Sequence, residues 1–132
     1  MYLLDTNVCI YIIQKRSTAL IDKFKAAKLA GKMGISAITY AELQYGISKS
    51  KRKSENQMAL AQFLLPLTTW EFSEKAGAIF GEVKASLETK GKIIGPYDMS
   101  IAAHAMSLNA TLITNNERKF RRIDRLKVEN WL

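Results

Sequence analysis

The chain is poor in the residues from which most active sites are built. Its 132 residues include one cysteine, Cys9, and one histidine, His104. A lone thiol excludes an internal disulfide and a cysteine-based zinc site, and Cys9 reads as a small buried hydrophobe. No Ser-His-Asp arrangement is evident around Ser36, so serine hydrolysis is set aside, and His104 reads as a packed or surface ring. Two prolines, no repeat and no low-complexity stretch leave nothing to divide the chain, so residues 1–132 are expected to form one domain. No apolar run approaches the ~20 residues of a membrane span. Lys15 and Arg16 follow the N-terminal apolar run, whereas a signal peptide places its basic residues first. A cytoplasmic protein without membrane association is expected.

Acidic residues are also scarce, with twelve Asp and Glu against twenty Lys and Arg, for a net charge of +8. Such an excess makes nucleic acid a plausible partner. Half of the basic residues fall in two short stretches. One holds Lys49, Lys51, Arg52 and Lys53; the other holds Arg118, Lys119, Arg121, Arg122, Arg125 and Lys127. Each stretch alone reads better as a solvated surface, and the two together on so small a protein weigh evenly between that and a nucleic-acid surface.

Periodicity alternates strand and helix. Tyr2-Leu3-Leu4 reads as a buried strand ending at Asp5, after which Thr6 or Asn7 caps a helix through Ile13. A second helix begins at Ser17 or Thr18 and ends at Gly31. Met33 to Ser36 is a strand, and Thr39 begins a helix carrying Tyr40, Leu43, Tyr45 and Ile47. The polar stretch Ser48 to Asn56 reads as a turn, Met58 to Leu65 as a helix, and Leu67 to Trp70 as a weak strand. Ser73 caps a long helix that Gly91 ends, and Pro96 opens another that runs through Met106. Thr111 to Thr114 is a strand, Asn115 or Asn116 caps a short basic helix, and Leu126 to Leu132 adds an edge strand. The alternation predicts an α/β protein, a mainly parallel sheet flanked by helices on both faces. Sites in such sheets form beyond the C-terminal strand ends.

Three of the twelve acids stand at that rim. Each has a bland role. Asp5 fits a turn, Glu42 completes a Thr39-Tyr40-Ala41-Glu42 capping box, and Asp98 suits a helix N-terminus. Together they are harder to dismiss, because two carboxylates ~4 Å apart repel by about 4 kcal/mol at an effective dielectric near 20. A divalent cation is the usual compensation, and oxygen-only ligands favour magnesium or manganese. Such an ion polarises a phosphoryl oxygen and activates a water, which is the chemistry of phosphodiester hydrolysis. The basic stretches would hold the remaining phosphates.

Leu3-Leu4-Asp5-Thr6-Asn7, Ser36 to Gly46 with Glu42 inside Tyr-Ala-Glu-Leu-Gln-Tyr-Gly, Gly95-Pro96-Tyr97-Asp98-Met99-Ser100-Ile101-Ala102, and Leu112-Ile113-Thr114-Asn115-Asn116 with Phe120 together resemble the PIN domain. More narrowly, the chain is similar to the VapC toxins of type II toxin–antitoxin systems, over its whole length and down to Trp131. The resemblance implies a magnesium-dependent endoribonuclease, a homodimer held inactive by a VapB antitoxin in a larger complex. It assigns Asp5, Glu42 and Asp98 as catalytic metal ligands, with Thr6 and Thr114 as neighbouring hydroxyls near ligands or phosphate. A fourth acid often found in the family is replaced here by Asn116, which can ligate through its carbonyl or position a water. The chain also looks like enteric members that cut initiator tRNA in the anticodon loop, which implies tRNA as substrate.

Two enzyme and signalling rivals fail on spacing. A haloacid-dehalogenase-like phosphatase needs a second acid two residues after the first, where this chain has Asn7. A receiver domain needs paired acids after its first strand. The remaining rival is a basic RNA- or antitoxin-binding module whose nuclease site has decayed.

Overall fold

A computed structural model describes all residues 1–132. Its elements, in chain order, are β1 (Tyr2–Leu4), α1 (Thr6–Ile13), α2 (Thr18–Ala30), β2 (Met33–Ser36), α3 (Ala37–Lys49), α4 (Lys53–Leu64), β3 (Thr68–Trp70), α5 (Glu74–Thr89), α6 (Pro96–Ser107), β4 (Thr111–Ile113), α7 (Glu117–Phe120) and β5 (Val128–Glu129). The strands form one sheet in the order β3-β2-β1-β4-β5, and every pairing is parallel. The expected α/β class and doubly covered sheet are therefore present. None of the helices is long and apolar enough to cross a membrane.

Strand alternation divides the core. Leu4 and Ile113 join Val8, Cys9, Ile12, Leu20, Phe24, Leu60 and Phe63 on one face. Their neighbours Leu3 and Leu112 join Val83, Leu87, Met99, Ile101, Ala102 and Phe120 on the other. Successive strand residues point to opposite faces, so both faces of a short strand must be apolar when helices cover both. The strand order also fixes where a site can form. The chain leaves β1 towards β2 and β3, then returns to the opposite edge of β1 for β4. The crevice beyond the C-terminal ends of β1 and β4 is the topological switch point, and Asp5 and Thr114 stand there.

Helix starts differ from the sequence reading in three places. Asp5, not Thr6 or Asn7, caps α1, accepting the Val8 amide at 2.8 Å. Ser36, not Thr39, caps α3 through the Ile38 amide at 3.0 Å. The helix after the polar stretch begins at Lys53, so only Ser50 to Arg52 remain outside helix between α3 and α4. Capping by the last residue of a strand shortens the connection, and composition alone does not distinguish it from capping one or two residues later. The C-terminal edge strand is also shorter than expected, confined to Val128–Glu129.

Gly34 lies where β2 meets β3. A methyl group there would overlap the Thr68 carbonyl and stand 2.6 Å from the Trp70 ring. Gly34→Ala is expected to push β3 off the sheet and cost about 1–3 kcal/mol, the usual range for overpacking a tight site. Urea unfolding checks this, and a variant as stable as wild type would mean that the strand edge yields freely.

Candidate active site

Asp5 ends β1 and is 5% exposed. Its carboxylate holds the N-terminus of α1. Burial, and to a lesser degree the charge of Asp98, pushes its pKa above the ordinary carboxylate value, while the Thr114 hydroxyl and the Val8 amide oppose that rise. Asp5 and Asp98 are thus near enough to feel one another, as the sequence pattern predicts. Asp98 is the third residue of α6, behind Gly95 and Pro96, and no side chain caps that helix.

Each of the three acids has a separate partner. Glu42 accepts a 2.6 Å hydrogen bond from the Thr6 hydroxyl, whose oxygen also lies 3.1 Å from Thr39 Oγ1. Because α3 begins at Ala37, Thr39 is inside the helix and the expected Thr39–Glu42 capping box does not form. Asp98 Oδ2 lies 2.7 Å from Lys119 Nζ, with the two side chains 33% and 24% exposed. No three acidic, imidazole or thiol side chains converge on a single metal-sized point. The expected three-carboxylate cluster is therefore not assembled. Thr6 holds Glu42, Lys119 holds Asp98, and a helix N-terminus holds Asp5.

The fit to a divalent cation rests on the Asp5–Asp98 pair. These are oxygen donors at a buried rim, they repel one another, and an ammonium has been drawn to them as a stand-in positive charge. One residue beyond Thr114, the Asn115 side chain has both its nitrogen and its oxygen buried without a hydrogen-bond partner. A buried amide left open is a sign of a missing polar group, a water or a ligand. The donor set suits a hard cation, and Glu42 accepts from Thr6 through Oε1 alone.

Thr6 and Thr114 flank the acids. Asn116 is exposed and caps α7, with its side-chain oxygen accepting the Lys119 amide at 3.3 Å and its own amide donating to Thr114 Oγ1 at 3.0 Å.

The two basic stretches are not equivalent. Lys49 stands seven residues beyond Glu42 along α3, about 10 Å of helix, and its ammonium lies 4.9 Å from the Tyr45 ring. Arg52 pairs with Glu55 at 3.5 Å, while Lys51 and Lys53 are exposed. The second stretch begins on α7, beside the acids. Arg118 is exposed there, Arg121 approaches Glu117 at 3.4 Å, and Arg122 donates to the Ile93 carbonyl at 3.3 Å.

Two side-chain pairings lie beyond the reach of sequence reasoning. Lys119 reads from the sequence only as a surface cation, because it lies 21 residues from Asp98 and no local signal relates the two. His104 is 1% exposed, with Nδ1 2.7 Å from Ser36 Oγ and the Phe72 ring edge-on at 5.5 Å. It is a packed ring, one of the two placements expected. Its tie to Ser36 joins α6 to the start of α3. Among the aromatics, Trp131 is buried against Tyr2 and Trp70 is half-buried, whereas Tyr40 and Tyr45 are exposed. Cys9 is fully buried.

Comparison with known proteins covers nearly the whole chain. A profile described as PIN domain matches residues 2–126. Ribonuclease VapC2 of Rickettsia felis is 46% identical over 131 residues, 99% of this chain and 98% of that protein. The tRNA(fMet)-specific endonuclease VapC of Shigella flexneri is 34% identical over 130 residues, 98% of this chain and 97% of that one. Among solved structures, VapBC2 from Rickettsia felis bound to a DNA fragment from its promoter superposes with a TM-score of 0.95 at 45% identity, covering 99% of this chain and 98% of that one.

Proposed function

The chain belongs to the PIN-domain family, among the VapC ribonucleases, and we propose that it is the toxin of a type II toxin–antitoxin pair, an endoribonuclease that hydrolyses RNA with a divalent cation, magnesium or manganese. The observation that carries this reading is the buried Asp5 at the switch point, its carboxyl raised by burial and by Asp98. A buried carboxylate beside a second, partly exposed one at a crevice is an arrangement that a cation would share.

Asp5 and Asp98 would hold the cation, with Glu42 joining them through the oxygen that Thr6 does not engage. When bound, such an ion polarises a phosphoryl oxygen and lowers the pKa of its water. The side chains do the positioning. Asp5 is locked by the α1 amide, so one carboxylate is preset before substrate arrives. The α6 N-terminus has no side-chain cap, and its only first-turn charge is Asp98 itself, so a cation on Asp98 would leave the amides open to a phosphate. Thr114, against Asp5, favours the ionised form needed for ligation. Arg118, Arg121 and Arg122 on the α7 side, and Lys49, Lys51, Arg52 and Lys53 further along, take flanking phosphates.

The substrate proposed is tRNA, with the initiator tRNA anticodon loop as the cleaved region, by analogy with the Shigella relative and its named specificity. The partner proposed is a VapB-type antitoxin, on a homodimeric toxin, because the Rickettsia neighbour is a VapBC complex. Incubating the chain with total tRNA in EDTA and in magnesium tests the reading. Metal-dependent cuts at one site are expected. RNA binding without cleavage at any divalent concentration would leave the decayed binding module instead.

Neutralising Lys51, Arg52 and Lys53 together is expected to weaken RNA binding while leaving the cleavage position unchanged. The slope of log affinity against log salt should fall by about 0.7–0.9 for each phosphate that is no longer neutralised. An unchanged slope would make that stretch a solvated surface, with binding carried by the α7 side.

A further inference from the structure

Lys119 is the one cation in direct contact with a proposed metal ligand. Its ammonium lies 2.7 Å from Asp98 Oδ2 and acts on Asp5 as well. The side chain springs from a one-turn helix whose backbone is pinned, since the Lys119 amide donates to Asn116 Oδ1 at 3.3 Å. The backbone is therefore fixed while the flexible stem, 24% exposed, retains a way out to solvent. A divalent ion on Asp5 and Asp98 would face a like charge within contact distance, and the lysine is the member of the three that can move.

On the metal reading above, we infer that Lys119 is a resident counter-cation. It neutralises Asp98 while no divalent ion is bound and is expelled by the metal. Once expelled, its ammonium becomes available to a phosphate of the nucleic acid beside Arg118. Metal and nucleic acid would then bind cooperatively through one side chain. Each would favour the state in which the lysine has left Asp98, and linkage requires the effect to be mutual.

Manganese binding, followed by electron paramagnetic resonance, tests this without any cleavage assay. Wild type, Lys119→Met, Lys119→Arg, Arg118→Met and Asp98→Asn are titrated, each with and without a short oligodeoxythymidylate. Lys119→Met is expected to bind manganese about fivefold tighter or more, within the usual range of coupling between sites. Lys119→Arg should bind like wild type. Arg118→Met removes the same charge one residue away and should change affinity by less than about twofold, since exposed charges off the site are well screened. The oligonucleotide should tighten manganese binding in wild type and do so less in Lys119→Met. Circular dichroism confirms that each variant is folded, and Lys119→Arg carries the test if Lys119→Met is not. In that case the oligonucleotide should tighten manganese binding in Lys119→Arg as it does in wild type, and no tightening in either protein overturns the proposal.

If Lys119→Met binds manganese no tighter while Asp98→Asn abolishes binding, the metal site stands and the counter-cation fails. An equal gain in Arg118→Met also overturns it, because the effect would then be general electrostatics. If wild type binds no manganese, the metal reading itself falls.

Discussion

Asp5→Asn is expected to abolish RNA cleavage, by about a thousandfold or more, while leaving the metal-free protein as stable as wild type or more so. The two effects share one cause. Removing one donor that stabilises transition-state charge costs roughly 10²–10³ in rate, and losing the preset carboxylate of a metal site removes at least as much. Stability moves the other way because the ionised Asp5 is desolvated and repelled by Asp98. Asparagine keeps the α1 cap, as its side-chain oxygen still accepts the Val8 amide. The pH dependence follows. The folded pKa of Asp5 is raised above the unfolded 3.8, so the native state takes up a proton first as pH falls. The strain of the ionised form is relieved on that descent. The stability advantage of Asp5→Asn should therefore shrink as pH is lowered from neutral towards 4.

Asp98→Asn should lose cleavage just as fully but melt lower in EDTA. It is a third exposed, paired with Lys119, and set in the first turn of α6, so neutralising it removes favourable interactions. A loss of about 1 kcal/mol or less is expected, given the modest value of partly exposed pairs and helix-terminal charges. Thermal melts of both variants in EDTA and in magnesium, beside a tRNA cleavage assay, separate them. If both melt lower than wild type in EDTA and both still cleave, the acids are structural and the ribonuclease reading fails.

Sequence alone treats these two acids alike, and the difference marks where residue patterns stop being informative. The fold is legible because its signals are local. Leu3-Leu4 and Leu112-Ile113 are apolar on both faces, Gly91 and Pro96 punctuate helices, and the strand–helix alternation admits few topologies. The rim positions of Asp5 and Asp98 follow from the rule about strand ends. What each acid touches is not legible. Thr6 and Glu42 are 36 residues apart, and Asp98 and Lys119 are 21 apart, so no period or spacing relates them. The Thr39–Glu42 box fails for a related reason. Thr-x-x-Glu has the spacing of a capping box, but Ser36 at the end of β2 takes the cap first and carries Thr39 into the helix. Asn115 or Asn116 could cap the short basic helix by sequence; Asn116 takes the cap, and the Asn115 amide is buried beside Thr114.

His104→Ala is expected to destabilise the protein by about 3–4 kcal/mol, as a buried ring leaves a cavity and its partner hydroxyl loses a hydrogen bond. Ser36 Oγ accepts the Ile38 amide at 3.0 Å and lies 2.7 Å from His104 Nδ1, so removing the ring leaves that hydroxyl short of a partner. Burial drives its pKa below the ordinary 6.5, with the Glu71 carbonyl opposing the shift. As pH falls through 6.5, the unfolded chain takes up a proton that the native ring refuses. Stability should therefore decline below about pH 6.5 and level off once the native ring is also protonated. His104 is the only histidine, and Asp5, which titrates from below, is present in both proteins of a matched comparison. Urea unfolding of wild type and His104→Leu at several pH values between about 7.5 and 5 isolates the histidine. The leucine variant fills most of the space and should lack the decline. Its α6, no longer tied to Ser36, should also hold Asp98 less firmly against Asp5, so the magnesium requirement for cleavage should rise at every pH. A wild type whose stability is flat across this window, or a leucine variant that declines in parallel with it, would show that burial does not hold the His104 pKa down. An unchanged magnesium requirement in the leucine variant would show that the Ser36–His104 contact does not hold α6 to α3.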